Sequence, residues 1–365
     1  MLTGIGGFGK LYVDRLFELE DAGKAEVVGI VEPYPEYCEH FEKIKMRNWK
    51  LYSDMDSIYA ENNCALACIV TPTQFHTKMI ITALNHGSNV LCEKPLTGDI
   101  NDVERLLEVR EKSGKFVMIG YQWSYSEAIL SLKKDILSGV YGKPEFLKSI
   151  VLWPRDKSYF KRGTGWAGKI KADDGTLILD SVANNAAAHY LHNMFFVLGK
   201  DMHSSAEPED VTAELFRVNE IQNFDTAIIE LKINRARALY IASHAIDKIL
   251  NPIFEYRFEN GVIYFSEENG NEIIGKLADG TIIRYGNPFR NQMQKLDYAI
   301  SNVEQEIPFV PCGIEAACAQ TKCITECAKF EIKSFPNEKI RIGEAELVCA
   351  DGLYEELVKL YNDAN

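Results

Sequence analysis

The stretch GIGGFG at residues 4–9 decides the fold of the first third of this chain. Its Gly4, Gly6 and Gly9 have GxGxxG spacing, in which glycine lets the backbone turn sharply and approach a pyrophosphate. The helical pattern that follows, KLYVDRLFELEDAG, presents its N-terminal amides and dipole to that negative charge. The run EVVGIVE then ends at Glu32, about 20 residues on, where a carboxylate can accept hydrogen bonds from both ribose hydroxyls. The stretch predicts a dinucleotide-binding domain.

The first strand of such a domain is short in this sequence. Only Met1, Leu2 and Thr3 precede Gly4, whereas a strand usually has about five residues. Either the start of the chain is assigned too late, or the first strand is a stub and cofactor binding is weakened. A third interpretation is a Gly-rich turn that serves only to connect a strand to a helix.

Composition limits the class of protein. A chain of 365 residues usually divides into two domains. The formal net charge of -13 disfavours nucleic acid and anionic membrane surfaces as partners. No apolar run approaches the ~20 residues of a membrane span, so we expect an unexported, cytoplasmic protein.

The nine cysteines include no CxxC pair, which fits a reducing compartment better than a disulfide framework. Four of them, Cys312, Cys318, Cys323 and Cys327, cluster near one predicted helix at a spacing that matches no zinc pattern. We therefore expect small buried side chains and no metal site.

The pattern of strands and helices changes along the chain. The first third alternates apolar β-branched runs with helical stretches, which is typical of a parallel sheet covered on both faces. From about residue 144 strand candidates follow one another across short turns, which favours antiparallel pairing. The predicted fold is α/β, with an N-terminal Rossmann domain on a doubly wound parallel sheet at residues 1–120. A C-terminal α+β domain for substrate binding and oligomerisation follows at residues 121–365.

Three further motifs, together with the glycine stretch, carry a family resemblance. TPTQFH at 71–76, HGSNVLCEKPL at 86–96 and GYQWSYSEAI at 120–129, together with GIGGFG, resemble the glucose-fructose oxidoreductase, inositol dehydrogenase and rhizopine-catabolism (Gfo/Idh/MocA) family. The resemblance covers residues 1 to about 200 motif by motif and the remainder by architecture. It implies a nicotinamide-dependent enzyme acting on a sugar, polyol or close derivative, with a large, mostly antiparallel open sheet in its second domain. The cofactor contacts it implies, together with the glycine fingerprint, are Gly4, Gly6, Phe8, Gly9, Glu32, Thr71, Pro72, His76, Glu93 and Lys94.

Lys94 is the first catalytic candidate, since the resemblance places the lysine of the EKP motif beside the nicotinamide and the reacting carbon. A lysine at the carboxyl end of a parallel strand can also hydrogen-bond a substrate hydroxyl and help to move its proton. Burial and the cationic nicotinamide would lower its pKa, and Glu93 would moderate that shift. The alternative is a surface lysine in a salt bridge. We also expect a cis peptide between Lys94 and Pro95, from the resemblance and the tight turn needed to aim the lysine.

The segment DDGTLILDSVANNAAAHYLHNMFFVLG at 173–199 resembles the second catalytic segment of the family, a short strand ending in Asp followed by a helix. Asp180 matches the family Asp, but Asn184 stands where many members have His, and asparagine cannot exchange a proton near neutral pH. If the helix starts near Asn184, then His189 can reach the cleft and replace that base. The alternatives are that Asn184 or Asn185 caps the helix and that His189 is a packed histidine; His192 we expect to be structural.

Substrate contacts are expected from aromatic faces and cationic donors, which suit a sugar or a sugar acid. The candidates are Gln122, Trp123, Tyr159, Arg162, Trp166 and Lys169. Ser124 stands where the family often has an arginine, so a different grip on the substrate is expected.

The sequence therefore predicts an NAD-dependent oxidoreductase that moves a hydride between nicotinamide and a carbinol carbon of a sugar or polyol. Lys94 and Asp180 would face each other across the cofactor cleft and handle the proton of the substrate hydroxyl. Asn184 or His189 would orient that hydroxyl. Two alternatives are a glycosidase or lyase that uses NAD transiently and a sugar- or cofactor-binding protein without turnover. We expect a homodimer or homotetramer formed through the sheet of the C-terminal domain.

Overall fold

The computed structural model describes residues 1–163, 165–307 and 310–365. Residue contacts divide the chain into two compact units, the first formed by Met1–Tyr125 with Asn291–Ile314 and the second by Ser126–Arg290 with Glu315–Asn365. The first unit therefore combines the N-terminal stretch with residues 291–314 from further along the chain.

The elements of the first 125 residues alternate strands and helices. They are β1 Leu2–Thr3, α1 Gly9–Asp21, β2 Ile30–Val31, α2 Phe41–Met46, β3 Leu51–Tyr52, α3 Met55–Glu61, β4 Leu66–Ile69, α4 His76–Asn85, β5 Asn89–Cys92, α5 Asp102–Ser113 and β6 Val117–Ile119.

The middle of the chain is mostly strand. Its elements are α6 Glu127–Leu137, β7 Pro144–Leu152, α7 Lys157–Lys161, α8 Ala188–Val197, β8 Pro208–Arg217, β9 Thr226–Ile233, β10 Ala236–Ser243, β11 Leu250–Phe258, β12 Gly261–Phe265, β13 Ile273–Leu277 and β14 Ile282–Gly286. The last part consists of α9 Gln294–Glu304, α10 Ile314–Cys327, β15 Ile332–Ser334, β16 Ile340–Ile342, β17 Val348–Ala350 and α11 Leu353–Asp363.

The first unit contains a six-stranded sheet in the order β3-β2-β1-β4-β5-β6. Every neighbouring pair is parallel. This is the strand order of a Rossmann domain, in which the order reverses between β1 and β4 and a ligand binds at the carboxyl ends of the strands. Although β1 has two residues, it pairs with β2 on one side and β4 on the other. The short first strand is therefore a central strand of the sheet.

The second unit is built on a nine-stranded sheet in the order β14-β13-β12-β11-β7-β10-β9-β8-β15. Two neighbouring pairs, β7 with β10 and β8 with β15, are parallel, and the others are antiparallel. The sequence prediction of a large, mostly antiparallel open sheet is confirmed.

One face of the central strands β7 and β10 is covered by the end of the chain. Buried Ile150 and Ile241 of the sheet belong to the same hydrophobic cluster as Leu353, Leu357 and Tyr361 of α11. Burial of such apolar side chains stabilises the fold by about 1.5–3 kcal/mol each. A second copy of the chain therefore cannot pack on this part of the sheet unless α11 moves away.

Within the described ranges, no helix combines the length and the apolar character that a membrane span requires. In the same ranges no two cysteines form a disulfide, and no cluster of three or more His, Cys, Asp or Glu side chains has the arrangement of a metal site.

Candidate functional site

The glycine loop between β1 and α1 has the geometry that close approach of a phosphate requires. Gly4 has a φ of +82°, and a Cβ there would lie 2.3 Å from the carbonyl oxygen of Val70. A Cβ on Gly9 would lie 2.4 Å from the carbonyl oxygen of Gly4. Both positions therefore demand glycine for packing. Gly6 instead faces open space and is exposed, so its backbone is accessible to a ligand at the start of α1.

Glu32 follows β2 directly and faces the glycine loop. One of its carboxylate oxygens accepts from the backbone N–H of Ile5 at 3.3 Å, and the other accepts from the N–H of Tyr34 at 3.2 Å. These contacts orient the carboxylate at the carboxyl edge of the sheet, where the ribose of a dinucleotide is held in this fold. The first turn of α1 carries no acidic side chain, which leaves its positive end free to face a pyrophosphate.

The EKP motif follows β5 at the same edge of the sheet. The peptide between Lys94 and Pro95 is cis, which confirms the sequence prediction. Glu93 is buried and Lys94 is half-buried. The backbone N–H of Lys94 donates to the Glu93 carboxylate at 3.3 Å.

Glu93 is held from the interior by two side chains that the sequence analysis did not identify. The Tyr12 hydroxyl donates to it at 2.7 Å, and the ammonium of Lys295 on α9 forms a salt bridge with the same oxygen. The Lys295 side chain is fully buried, and its ammonium also donates to the carbonyl oxygen of Gly120 at 3.3 Å. A Cβ on Gly120 would lie 2.8 Å from the Glu93 carboxylate, so this glycine makes room for the pair. The arrangement fixes the residue that precedes Lys94.

Phe8 and Lys295 are also neighbours. Phe8, at the N-terminus of α1, is 41% exposed, and the Lys295 ammonium lies 4.8 Å from the centre of its ring. Phe8 thus presents an accessible aromatic edge beside the glycine loop, where the sequence analysis expected a cofactor contact.

His76 connects two of the predicted cofactor segments. It is fully buried, and its ring nitrogens lie 2.8 Å from the carbonyl oxygen of Thr71 and 2.7 Å from that of Pro95. Burial lowers its pKa, an effect that the two carbonyl oxygens partly offset. His76 therefore links the TPTQFH segment to the EKP turn through contacts in the protein interior. Thr71 and Pro72 are the members of the segment that precede the helical turn at Thr73–Phe75.

Gln122 and Trp123 lie in a short 3₁₀ helix, Gln122–Tyr125, directly after β6. Gln122 is half-buried, whereas Trp123 is 2% exposed. The hydroxyl of Tyr125 in the same turn donates to the carbonyl oxygens of Ile119 and Cys312 at 3.0 and 2.8 Å. The turn is thereby anchored to the first unit.

Asp180 lies in the second unit and accepts hydrogen bonds from two directions. One carboxylate oxygen accepts from the backbone N–H of Gly168 at 2.5 Å, and the other from the side-chain amide of Asn185 at 2.8 Å. The predicted strand ending at Asp180 is wrong, because Leu177 forms only an isolated bridge with Lys171 and Leu179 has a φ of +48°. The segment folds back on itself instead, which buries the carboxylate.

The predicted helix start near Asn184 is also wrong. Residues 181–187 form successive turns, and α8 begins at Ala188 after an N-cap, Ala187, that provides no side-chain hydrogen bond. The alternative that Asn184 or Asn185 caps the helix fails for the same reason. Asn184 is buried and its amide donates to the carbonyl oxygen of Leu179 at 3.1 Å. Asn185, not Asn184, is the asparagine that contacts the Asp180 carboxylate.

The two histidines of α8 differ in environment. His189 is half-buried, and its ring lies 6.4 Å from that of Tyr190. His192 is 1% exposed and stacks on Phe196, and burial together with nearby Lys133 lowers its pKa to about 3. His192 therefore stays neutral at ordinary pH and packs inside the second unit, whereas His189 keeps partial access to solvent.

Three of the predicted substrate residues lie together near the end of α7. The Arg162 guanidinium lies 3.6 Å from the ring centre of Tyr159 and 4.7 Å from that of Trp166. Lys169, another predicted substrate residue, forms an ion pair with Asp173 at 2.9 Å and lines a separate cavity. Tyr159, Arg162 and Trp166 therefore form one group, the stacked trio, and Lys169 lies apart from it.

The residues of the first unit fit a bound dinucleotide. The exposed glycine backbone at the helix start suits a pyrophosphate, and the oriented Glu32 carboxylate suits a ribose. This fold and this site define an NAD-binding Rossmann domain.

Comparison with known proteins agrees with that class. Residues 1–121 match the profile of the Gfo/Idh/MocA oxidoreductases, described as an oxidoreductase family with an NAD-binding Rossmann fold. The N-terminal third of the chain thus resembles the NAD-binding domain of this family.

Individual relatives match a somewhat longer stretch of the sequence than the family profile does. The chain is 28% identical over 150 residues to a 1-carboxy-3-chloro-3,4-dihydroxycyclo hexa-1,5-diene dehydrogenase of Comamonas testosteroni, a match that covers 41% of this chain and 38% of that protein. It is 25% identical over 147 residues to a myo-inositol 2-dehydrogenase of Thermotoga maritima, covering 40% and 43%. The match thus spans about two fifths of the length of these relatives.

The fold likeness extends further. The WlbA dehydrogenase of Bordetella pertussis, solved with NADH and UDP-GlcNAcA, superposes with a TM-score of 0.69 at 19% identity, covering 90% of this chain and 95% of that one. At this identity the likeness concerns the fold of both units.

Proposed function

We propose that the protein is an NAD-dependent oxidoreductase that acts on a CH–OH group of a sugar, polyol or sugar derivative. The observation that carries the proposal is the position of Lys94. It follows β5 at the carboxyl edge of the parallel sheet, the edge that also holds the exposed glycine loop and Glu32. The proteins that this chain resembles include dehydrogenases of a cyclic diene diol and of inositol, and both of these compounds are hydroxylated rings.

NAD, when bound, supplies the acceptor for the hydride. The protein must remove the proton of the substrate hydroxyl, and the Lys94 amine is the group of the first unit suited to accept it. The buried carboxylate of Glu93, held by Tyr12 and Lys295, fixes the backbone from which Lys94 extends. A lysine must be neutral to accept a proton, so the reaction would require Lys94 in its uncharged form.

Asp180 is proposed as the second polar group that handles the hydroxyl. Its carboxylate is oriented by Gly168 and Asn185, so the orienting role expected for Asn184 passes to Asn185. His189 remains the proposed alternative base, because it is the more accessible histidine of α8. The stacked trio of Tyr159, Arg162 and Trp166 offers aromatic faces and a cation to the ring of a sugar.

The proposal includes a cytoplasmic location and a homodimer or homotetramer formed through the nine-stranded sheet. Since α11 covers the central strands, the contact would use the strands outside this area. Light scattering of the purified protein measures the mass of the particle directly, and a single-chain mass would remove this part of the proposal.

The experiment that tests the function is a screen of polyols, sugars and sugar acids with NAD, followed by the absorbance of NADH. Steady formation of NADH with at least one compound supports the proposal. Product without net NADH would instead indicate a lyase or glycosidase that oxidises its substrate transiently. Ligand binding with no reaction would indicate a binding protein.

A further inference from the structure

The second unit contains a cavity of about 430 Å³ that the proposed mechanism does not use. Its wall is formed by α7, by the segment that follows it and by the loop between β8 and β9. The polar lining residues are Lys157, Lys161, Lys169, Asn219, Glu220 and Gln222.

Three ammonium groups line this cavity in a chain whose net charge is -13. Lys157 and Lys169 have partners outside the cavity lining, Glu346 at 3.5 Å and Asp173 at 2.9 Å. Both carboxylates are well exposed, and exposed ion pairs of this kind are worth about 0–1 kcal/mol. Lys161 is exposed, and none of the described side chains forms an ion pair with it. The cations can therefore turn to an anionic ligand at little cost.

Asn219 supplies an independent reason to expect a ligand. The residue is 5% exposed, and its side-chain N–H donates to the buried carboxylate of Asp225 at 2.9 Å. Because a carboxylate only accepts hydrogen bonds, the Asn219 amide must turn its nitrogen toward Asp225. The amide oxygen, Oδ1, then faces away from this carboxylate. Oδ1 has no hydrogen-bond partner among the described residues. A buried acceptor left unpaired costs about 1–3 kcal/mol, so the position calls for a hydrogen-bond donor such as a hydroxyl.

The rest of the lining suits a polyhydroxylated ring. Glu220 is exposed at the rim and accepts hydrogen bonds from hydroxyl groups, while Phe160 and Ile221 offer apolar surface to the C–H face of a sugar. An anionic group, several hydroxyls and an apolar face occur together in a sugar acid or a sugar phosphate.

Gly168 connects this cavity to Asp180. It lines the cavity, its N–H donates to the Asp180 carboxylate at 2.5 Å, and its carbonyl oxygen accepts from the N–H groups of Gln222 and Asn223. Gly168 has a φ of +73°, and a Cβ there would lie 2.6 Å from the Ile221 side chain, so a larger residue would strain the backbone and displace Ile221. A single glycine thus separates the cavity from the proposed catalytic carboxylate.

We propose that this cavity binds the anionic group of the substrate, and that the substrate is an acidic sugar, either a sugar acid or a sugar phosphate. Lys161 and Lys169 contact the anion, and Asn219 accepts from a ring hydroxyl. This inference rests on the proposed oxidoreductase function, because it assigns the cavity to the substrate of that reaction.

The test compares matched sugars in direct binding to the protein with NAD. The probes are glucose, glucuronate and glucose 6-phosphate, with the corresponding galactose and mannose sets, titrated by calorimetry. We expect at least one acid or phosphate to bind about tenfold or more tightly than its neutral twin, which corresponds to one charge-assisted contact. A preference for the acid identifies a carboxylate ligand, and a preference for the phosphate identifies a phosphate ligand.

Variants locate the effect. Lys161→Gln should weaken binding of the preferred anion about tenfold and leave binding of its neutral twin unchanged. Lys171→Gln is the matched control, since Lys171 is an exposed lysine of the neighbouring loop that does not line the cavity.

Equal binding of charged and neutral sugars, no binding of any anion, or equal affinity in Lys161→Gln would overturn the inference. The screen for NADH formation is scored separately. NADH from neutral sugars alone would leave the oxidoreductase standing and remove the acidic substrate.

Discussion

Replacing Lys295 by methionine should destabilise the first unit strongly, although Lys295 comes from a segment far along the chain. Its side chain is fully buried and pairs with the Glu93 carboxylate, whose side chain is 9% exposed. Lys295→Met leaves this carboxylate with the Tyr12 hydroxyl and one backbone N–H. Removal of one partner from a buried ion pair typically costs about 3–5 kcal/mol, and we expect a loss of free energy of unfolding in that range.

Equilibrium unfolding in urea measures this loss. The matched control is Arg15→Gln, which breaks the partly exposed ion pairs of Arg15 with Asp297 of α9 and with Glu18, each worth about 0–1 kcal/mol. The double variant Glu93→Gln with Lys295→Met should be more stable than Lys295→Met alone, because no buried charge is left unpaired. A Lys295→Met protein within about 1 kcal/mol of the unsubstituted protein would refute the reasoning.

Three further predictions concern the cofactor, the base and acid stability. The protein should bind NAD at least about tenfold more tightly than NADP, because Glu32 repels a 2′-phosphate. Glu32→Gln should reduce the ratio of the two affinities. Equal affinities for NAD and NADP in calorimetry would contradict this prediction. His189→Ala should lower turnover on the order of 10²-fold with NAD affinity intact, whereas a lower melting temperature with unchanged turnover would identify a packed histidine. Burial holds the pKa of His192 and His244 at about 3, against 6.5 for an unperturbed histidine, so the stability they contribute is present above pH 6.5 and is lost as the pH falls from about 6.5 to about 3. His192→Leu should reduce the slope of unfolding free energy against pH in this window by up to about 1.4 kcal/mol per pH unit, and an unchanged slope in urea unfolding at several pH values would contradict this.

Local signals in the sequence were sufficient for the parts of the site that depend on local backbone geometry. The glycine loop, Glu32 and the cis peptide after Lys94 each arise within a short stretch, where steric limits on glycine and proline leave few conformations. The alternation of strands and helices was likewise sufficient for the parallel sheet.

The segment around Asp180 was not predictable in the same way. An apolar run followed by an Ala-rich stretch favours a strand and then a helix, but asparagine side chains compete for backbone groups. Asn184 binds the carbonyl oxygen of Leu179 and Asn185 binds Asp180, and these contacts hold the chain in turns until Ala188. The contribution of Lys295 was not visible either, because its partner Glu93 lies 202 positions away.

The measurement that tests the central claim most directly is the turnover of Lys94→Met on the compound that gives NADH with the unsubstituted protein. If Lys94 accepts the hydroxyl proton, turnover should fall by about 10²–10⁴-fold, while the dissociation constant for NAD changes less than about twofold. Turnover within about threefold of the unsubstituted protein would contradict the account, because a group that takes the proton cannot be removed without slowing the reaction.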